Sequence, residues 1–303
     1  MDPEQAARLR RGLLHLTCAI VFVGLCGVGL VFDRRYVEHK IVFAKQPPTV
    51  VLKNRPVWMS DFLAEQIVKA ARPAGAHSAF DHQLLVNTVA MLKANPWIRH
   101  VNQVRRAYGN EPGDVLEVDC DYRAPVALVK WQDYYWLVDG DGVKLPEVFS
   151  AEDVPRILKG QDQKVNIRVI QGVAGAPPET GAKWTGADLH AGLELVKLLF
   201  GRPYAEEVEK VDVGNFSGRQ NAKAAQLVLV TKYNTQLRWG QPVSIPPDDF
   251  AVEVPAAQKL AFMQAIWEEN GRVDAKFDWV DIRFDTVGIP STAQTANATD
   301  TPR

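Results

Sequence analysis

The chain has 303 residues, with 35 Lys and Arg against 36 Asp and Glu, and 47% of it is hydrophobic. A formal net charge of −1 supplies no basic field for nucleic acid and no excess of either sign to select a charged substrate. Of the three cysteines, Cys18 and Cys26 fall in one apolar run, so Cys120 stands alone and no disulfide can form in the remainder.

In chain order, the first element is Gly12 to Phe32, which holds no Asp, Glu, Lys or Arg. As a helix it is about 31 Å long, the thickness of a bilayer's hydrocarbon core. A cleaved signal peptide would have a shorter apolar region and a small-residue cleavage site, which Phe32-Asp33-Arg34-Arg35 does not offer. A buried core helix would keep a polar face, and this run has none. The expectation is an uncleaved anchor, with His15 snorkelling to the interface. Arg8, Arg10 and Arg11 precede it while Arg34, Arg35, Lys40 and Lys45 follow, so flanking charge does not set the orientation. The eleven residues ahead of the helix are too few to fold.

Asp33 to Lys45 reads as a mixed-charge connector, or as a helical extension of the anchor, that Pro47-Pro48 ends. Thr49 to Leu52 is β-branched and predicts a strand, followed by a helix over Asp61 to Ala71 with Ser60 as its N-cap. Ser78 and Asp81 form an S-x-x-D signature for a second helix whose Leu85, Val89 and Leu92 recur at helical spacing. Asn95-Pro96 stops it. Trp97 to Arg106 predicts a strand, Tyr108 to Asp114 a turn, and Leu116, Val118, Cys120 and Tyr122 alternate with Glu117, Asp119, Asp121 and Arg123 as a half-buried antiparallel strand, with Cys120 a small buried hydrophobe. Trp97 reads as a core plug at a corner, Arg123 as a partner of Asp121 or Asp119, and Pro125 as an edge or bulge residue. Asp139-Gly140-Asp141-Gly142 reads as a tight hairpin turn; Val143 stands where a calcium loop needs its next oxygen ligand.

Pro146 to Gly160 reads as a linking stretch, Lys164 to Val173 as a strand carrying Val165, Ile167, Val169 and Val173, and Gly175 to Gly186 as a surface loop. Asp188 is expected to cap a helix with Leu189, Leu193, Val196 and Phe200 as its apolar stripe. Strands follow over Val208 to Val213, Ala225 to Tyr233 and Thr235 to Val243, the last two joined by a turn at Asn234-Thr235. A closing helix, Ala256 to Asn270, has Leu260, Met263 and Trp267 on one side and Gly271 as its stop. Trp279 to Phe284 is the final strand, and Ile289 to Arg303 lacks the apolar bulk to order itself.

The order strand, helix, helix, strand, strand resembles a POTRA module. Asn95-Pro96-Trp97-Ile98, Val104-Arg105-Arg106, Val115-Leu116-Glu117-Val118, Arg123-Ala124-Pro125-Val126-Ala127 and Tyr135 to Val143 together resemble the serial motifs of the FtsQ/DivIB family of bacterial cell-division proteins. Tyr122 departs from the family pattern, which has Glu before the Arg. In the second half, Leu237-Arg238-Trp239-Gly240 and Asp281-Ile282-Arg283-Phe284 are similar to that family's late strands, and the likeness covers about 250 residues in all. The resemblance implies a non-catalytic scaffold in the bacterial inner membrane. Its N-terminus would be cytoplasmic and its bulk periplasmic at the division septum, tying together membrane proteins such as FtsB- and FtsL-like coiled-coil partners.

The expected fold is α+β. It comprises a cytoplasmic tail (1–11), a transmembrane helix (12–32) held in the lipid bilayer, a connector (33–47), a POTRA-like β-α-α-β-β domain (48–127), a mixed α/β domain with a largely antiparallel sheet (128–288), and a disordered tail (289–303). No catalytic or cofactor motif is found: there is no G-x-S-x-G, H-E-x-x-H, C-x-x-C or phosphate loop. His77, Asp81 and His82 are the densest titratable cluster, lack a placeable third metal ligand, and read as a capped helix start. Gly214 to Gly218 with Arg219 reads as an anion loop or a plain turn. The expected partner site is a sheet edge that Trp279, Asp281, Ile282, Arg283 and Phe284 supply or border, with Trp239 nearby, because only a weak tail follows to cover it. The alternatives are a POTRA-like envelope accessory or assembly protein, or an envelope enzyme with a cleft around Asp188, His190 and Arg219.

Overall fold

The computed structural model describes residues 3–41, 47–75, 77, 81–109, 112–159, 167–244 and 252–290. The first element, α1 (Pro3–Ile41), is one unbroken helix. Within it Leu14–Tyr36 has a mean hydropathy of 2.3 and is long and apolar enough to cross a membrane. The expected unstructured tail is therefore corrected from residue 3 onward. Gln5 to Arg11 are good helix formers, and adding a turn to an existing helix avoids the cost of nucleation, with Pro3 suited to the first position. The same propagation carries the helix through Asp33 to Ile41, so that part of the expected connector is a helical extension of the anchor.

The chain folds as two units, one of residues 1–55, 61–94 and 101–120, the other of residues 56–60, 95–100 and 121–303. In the first, β1 (Thr49–Lys53), α2 (Asp61–Ala71), α3 (His82–Lys93), β2 (Ile98–Tyr108) and β3 (Pro112–Tyr122) follow in order. Their sheet runs β1-β3-β2. The pairing of β3 with β1 is parallel, Val50 opposite Leu116 and Leu52 opposite Val118, which corrects the antiparallel expectation for that side. Leu116, Val118 and Cys120 are buried, as their alternation predicts, and so are Leu63, Ile67 and Ala71 of α2 and Leu84 and Leu92 of α3.

The cap of α3 is Asp81 itself, which accepts from the backbone N–H groups of Gln83 (2.9 Å) and Leu84 (3.4 Å). Ser78 lies outside the described residues. The buried stripe is Leu84, Thr88 and Leu92 rather than Leu85 and Val89. Thr88 fits there because its hydroxyl donates to the Leu84 carbonyl at 2.9 Å and so hides its polarity.

The second unit contains β4 (Pro125–Trp131), β5 (Tyr134–Asp139), β6 (Lys144–Ser150), α4 (Val154–Lys159), β7 (Arg168–Gln171), α5 (Ala187–Leu199), β8 (Val208–Asp212), β9 (Leu227–Thr231), β10 (Gln236–Gly240), α6 (Ala256–Asn270) and β11 (Trp279–Asp281). They build one sheet in the order β11-β10-β9-β8-β7-β4-β5-β6. Four of its seven pairs are antiparallel and three parallel, so it is mixed rather than largely antiparallel. β4 belongs to this sheet, and the continuous part of the second unit runs from residue 121.

The predicted linker at Pro146 is strand β6, paired with β5 from Tyr134–Ser150 to Val138–Lys144. Proline is tolerated because the register slips between Trp136 and Val138, leaving its missing N–H outside the ladder. Val165 lies outside the described residues, and the strand expected over 164–173 is Arg168–Gln171.

One face of this sheet is packed by α5 and α6, whose Leu189, Leu193, Leu195, Val196, Leu199, Leu260 and Met263 meet Val129, Ile170, Val211, Leu229, Leu237 and Val280 in a single core. Gly192 lets α5 approach closely: a Cβ there would stand 3.0 Å from Ile170 and 3.1 Å from Val213. Two expectations for α5 are corrected. Its N-cap is Gly186, with Asp188 inside the first turn. Phe200 is 69% exposed, since the chain leaves helical geometry there (φ −58°, ψ 133°) and carries the ring away from the stripe.

Candidate partner-binding edge

The edge expected to meet partners is assembled from β10, α6 and β11. Chain direction reverses between β9 and β10 at Asn234, whose φ of 65° suits asparagine, and the Asn234 N–H donates to the Thr231 carbonyl at 2.9 Å. Gly271, at φ 66°, ends α6 as predicted, its N–H returning to the Trp267 carbonyl at 2.8 Å. The following turn is pinned by Asp274, fully buried, which accepts from Thr235 Oγ1 (2.9 Å), Arg272 (2.9 and 2.6 Å) and the Lys276 N–H (3.0 Å). Burial alone would raise the pKa of this carboxyl, but those donors outweigh it and hold it below the usual range. The Arg272 guanidinium also lies over the Tyr233 ring, 3.5 Å from its centroid.

This turn delivers β11 parallel to β10, with Trp279 opposite Gln236 and Asp281 opposite Arg238. Of the six residues expected to contact a partner, two are turned inward. Trp239 and Ile282 are 0% exposed and belong to the core. Beside Trp239, the Lys259 ammonium donates to its carbonyl (2.7 Å) and to Glu253 (2.8 Å); burial lowers the Lys259 pKa, against the pull of Glu253.

Of the other four, Asp281 is buried and Trp279, Arg283 and Phe284 reach the surface. Trp279 is half-buried under the Arg238 guanidinium, 4.1 Å from the ring centroid. Asp281 and Arg283 form a two-pronged pair at 2.9 and 2.7 Å. Burial tends to raise Asp281, but Arg283 and its N–H hold it low, while the hydrogen bonds to Asp281 raise Arg283. Phe284 is 38% exposed.

The backbone of β11 departs from expectation. Asp281 exchanges two hydrogen bonds with Gly288, both 2.8 Å, as an antiparallel bridge, and the Arg283 carbonyl accepts from the Val254 N–H at 2.8 Å. The segment after β11 therefore covers the strand expected to lie open, and Pro290, within the stretch read as a disordered tail, is buried. Residues 291–303 of that tail lie outside the described residues. No local pattern marks Gly288; the only sequence signal is a residue small enough to sit 3.2 Å, measured from a notional Cβ, from the Asp281 Cβ.

The opposite edge, β6, is closed differently. Lys144 exchanges bonds with Ala182 (3.0 Å) and Gly181 (2.8 Å), Pro146 has no N–H, and the Ser150 N–H is taken by Asp153 at 3.2 Å. The sheet face away from α5 and α6 bears a polar cavity of about 610 Å³, lined among others by Lys210, Asp212, Lys223, Gln236, Arg238 and Arg283.

The remaining candidates are occupied in structural roles. Trp97 is buried, its ring centroid 6.2 Å from that of Trp58. Arg123 pairs with Asp139 at 2.7 Å, not with Asp121 or Asp119, and its N–H donates to the Trp97 carbonyl at 2.9 Å. Asp139 also accepts from the N–H groups of Asp141 (2.9 Å) and Val143 (2.8 Å), and Gly142 at φ 80° closes that turn. Pro125 sits at a register shift within β4, an interior strand, so it marks a bulge and not an edge.

His77 is 3.2 Å from the capping Asp81, and His82 is exposed. Asp188 accepts from Arg219 (2.9 Å) and the Ala174 N–H (2.8 Å); burial would raise its pKa, and these bonds lower it. Arg219 spends three further donors on the carbonyls of Gly214, Val213 and Gly172, so that four of its five N–H groups are engaged within the fold, while His190 faces Glu194 at 3.5 Å. Among the described residues no group of three or more His, Cys, Asp or Glu side chains is placed to hold a metal ion. No protein-family model matches the chain, and no curated protein matches it.

Proposed function

We propose that this chain is a non-catalytic, membrane-anchored scaffold similar to FtsQ/DivIB. In this reading α1 holds it in the bacterial inner membrane with the N-terminus cytoplasmic, and the two α/β units stand outside at the division septum. The first unit, with its strand-helix-helix-strand-strand order, is read as a POTRA domain. Its partners are FtsB- and FtsL-like coiled-coil membrane proteins, one of which adds an extended segment to the β11 side of the large sheet. Backbone bonds would give affinity there, and alternate side chains selectivity.

The observation that carries the reading is the succession itself. A helix of membrane-spanning length precedes two α/β units, and the second ends its sheet on a strand stitched to the following chain at Asp281 by a single residue, Gly288. The serial motifs at Asn95-Pro96-Trp97, Arg123-Ala124-Pro125 and Asp281-Ile282-Arg283-Phe284 support the same family. A fluorescent protein fused to the N-terminus and imaged in dividing cells tests it: a band at mid-cell supports division, and a uniform rim overturns it. Ile282→Pro would be a poor probe of docking, because the Ile282 side chain is core and its N–H donates to the Arg238 carbonyl at 3.3 Å.

A further inference from the structure

We infer that the face of the large sheet away from α5 and α6 is a binding site for an acidic saccharide, a sugar chain that carries carboxylates. Alternation decides which side chains reach that face. Val211, Leu229, Leu237 and Trp239 belong to the core. Lys210 and Asp212 of β8, Val228 and Val230 of β9, and Gln236 and Arg238 of β10 therefore stand on the other side. The register sets them in two rows across the strands, Lys210–Val230–Gln236 and Asp212–Val228–Arg238. Together they floor the cavity of about 610 Å³, a volume within the range of small-ligand sites.

Among the described residues, Lys210, Lys223, Arg238 and Arg283 line the cavity against one carboxylate, Asp212. Arg283 is held by Asp281, and Arg238 lies over Trp279. Asp212 accepts from the Gln171 amide at 2.8 Å and from the Gly214 N–H at 2.7 Å. No partner among the described residues is found for the ammonium groups of Lys210 and Lys223, or for the side-chain amides of Gln220 and Gln236. The two lysines leave positive charge unspent, which selects an acid. Each free amide presents donors and an acceptor together, the pair that a sugar hydroxyl satisfies; a fully ionised inorganic anion has no hydrogen to give the acceptor. Val228 and Val230 are half-buried between these polar groups and offer the C–H face of a sugar ring an apolar floor. This surface is separate from the partner edge, and its binding does not depend on the scaffold reading above.

Isothermal titration calorimetry of the full chain in lipid nanodiscs tests it, with a tetrasaccharide of alternating glucuronate and N-acetylglucosamine as probe. The neutral tetrasaccharide of N-acetylglucosamine, inorganic pyrophosphate and a capped peptide with two glutamates are the comparisons. The acidic tetrasaccharide should bind about tenfold more tightly than any of the three. Lys210→Gln should weaken it about tenfold, the loss of one hydrogen bond to a charged group, and Gln236→Ala about threefold. Lys232→Gln removes the same charge from the exposed turn between β9 and β10, outside the cavity, and should stay within about twofold of wild type. Circular-dichroism melts check that each variant is folded, and the exposed Gln236 carries the test should Lys210→Gln unfold. No heat of binding with the acidic tetrasaccharide at millimolar concentration overturns the inference. So does equal binding of the neutral sugar, tighter binding of pyrophosphate or the peptide, or a loss in Lys232→Gln as large as in Lys210→Gln.

Discussion

Replacing Asp274 by Asn removes a charge and keeps the shape. The carboxylate is fully buried and holds Arg272 through two bonds, with further bonds from Thr235 and the Lys276 N–H. Hydrogen bonds to a charged group contribute about 1.5–3 kcal/mol each. The Arg272 side chain is 27% exposed, so water screens part of that. We expect Asp274→Asn to cost about 2.5 kcal/mol, which in a domain of this size lowers Tm by about 5–10 °C.

The folded-state pKa of Asp274 lies below its unfolded value, so its contribution is present above about pH 3.9 and is lost as pH falls through the depressed folded value. The gap in Tm between wild type and variant should therefore be full at pH 7 and narrow below pH about 4. Circular-dichroism melts of the full chain in detergent from pH 7 to pH 3 measure it. A gap that keeps its size down to pH 3, or one under about 2 °C at pH 7, would refute the reasoning.

Arg123→Ala strips a buried carboxylate, Asp139, of its cation while leaving its two backbone N–H donors, and should cost about 2 kcal/mol in the same melts. Gly271→Ala forces a side chain into the left-handed region at φ 66° and should cost about 1 kcal/mol. Phe200→Ser, at a residue the helical pattern assigns to the core, should change stability by less than about 0.5 kcal/mol because the ring is 69% exposed. Alkaline carbonate should leave the full chain in the membrane pellet, and alkaline phosphatase fused to its C-terminus should be active in intact cells. Release of the chain, or an inactive fusion, would count against the anchor and its orientation respectively.

What could be read from the chain was whatever a few neighbouring residues decide. Leu116, Val118 and Cys120 alternate because one face of their strand is buried, and Gly271 stops α6 because a left-handed residue is needed there. The turn at Asp139 to Gly142 follows from a side chain that bonds the backbone two and four residues on. Where the reading failed, a distant residue decided. Pro146 sits in a strand because β5 tolerates a register slip opposite it. Thr88 is the local exception, taking a core position because its hydroxyl finds the Leu84 carbonyl one turn back. Asp188 gives up the cap of α5 and spends its carboxylate on Arg219, 31 residues away, and on the Ala174 N–H. Of the expected partner residues, Trp239 and Ile282 follow the inward alternation of β10 and the chain after β11, which the motif likeness could not distinguish from an exposed position.

The two edges of the large sheet show why an edge cannot be judged from the strand alone. An open edge is defined by where N–H and C=O groups remain, and at Asp281 of β11 and at the Arg283 carbonyl just beyond it they are satisfied by Gly288 and Val254, residues 7 and 29 positions distant. The β6 edge is blunted by a proline, by the 181–182 loop and by the Asp153 carboxylate, each of which denies a partner a donor or an acceptor.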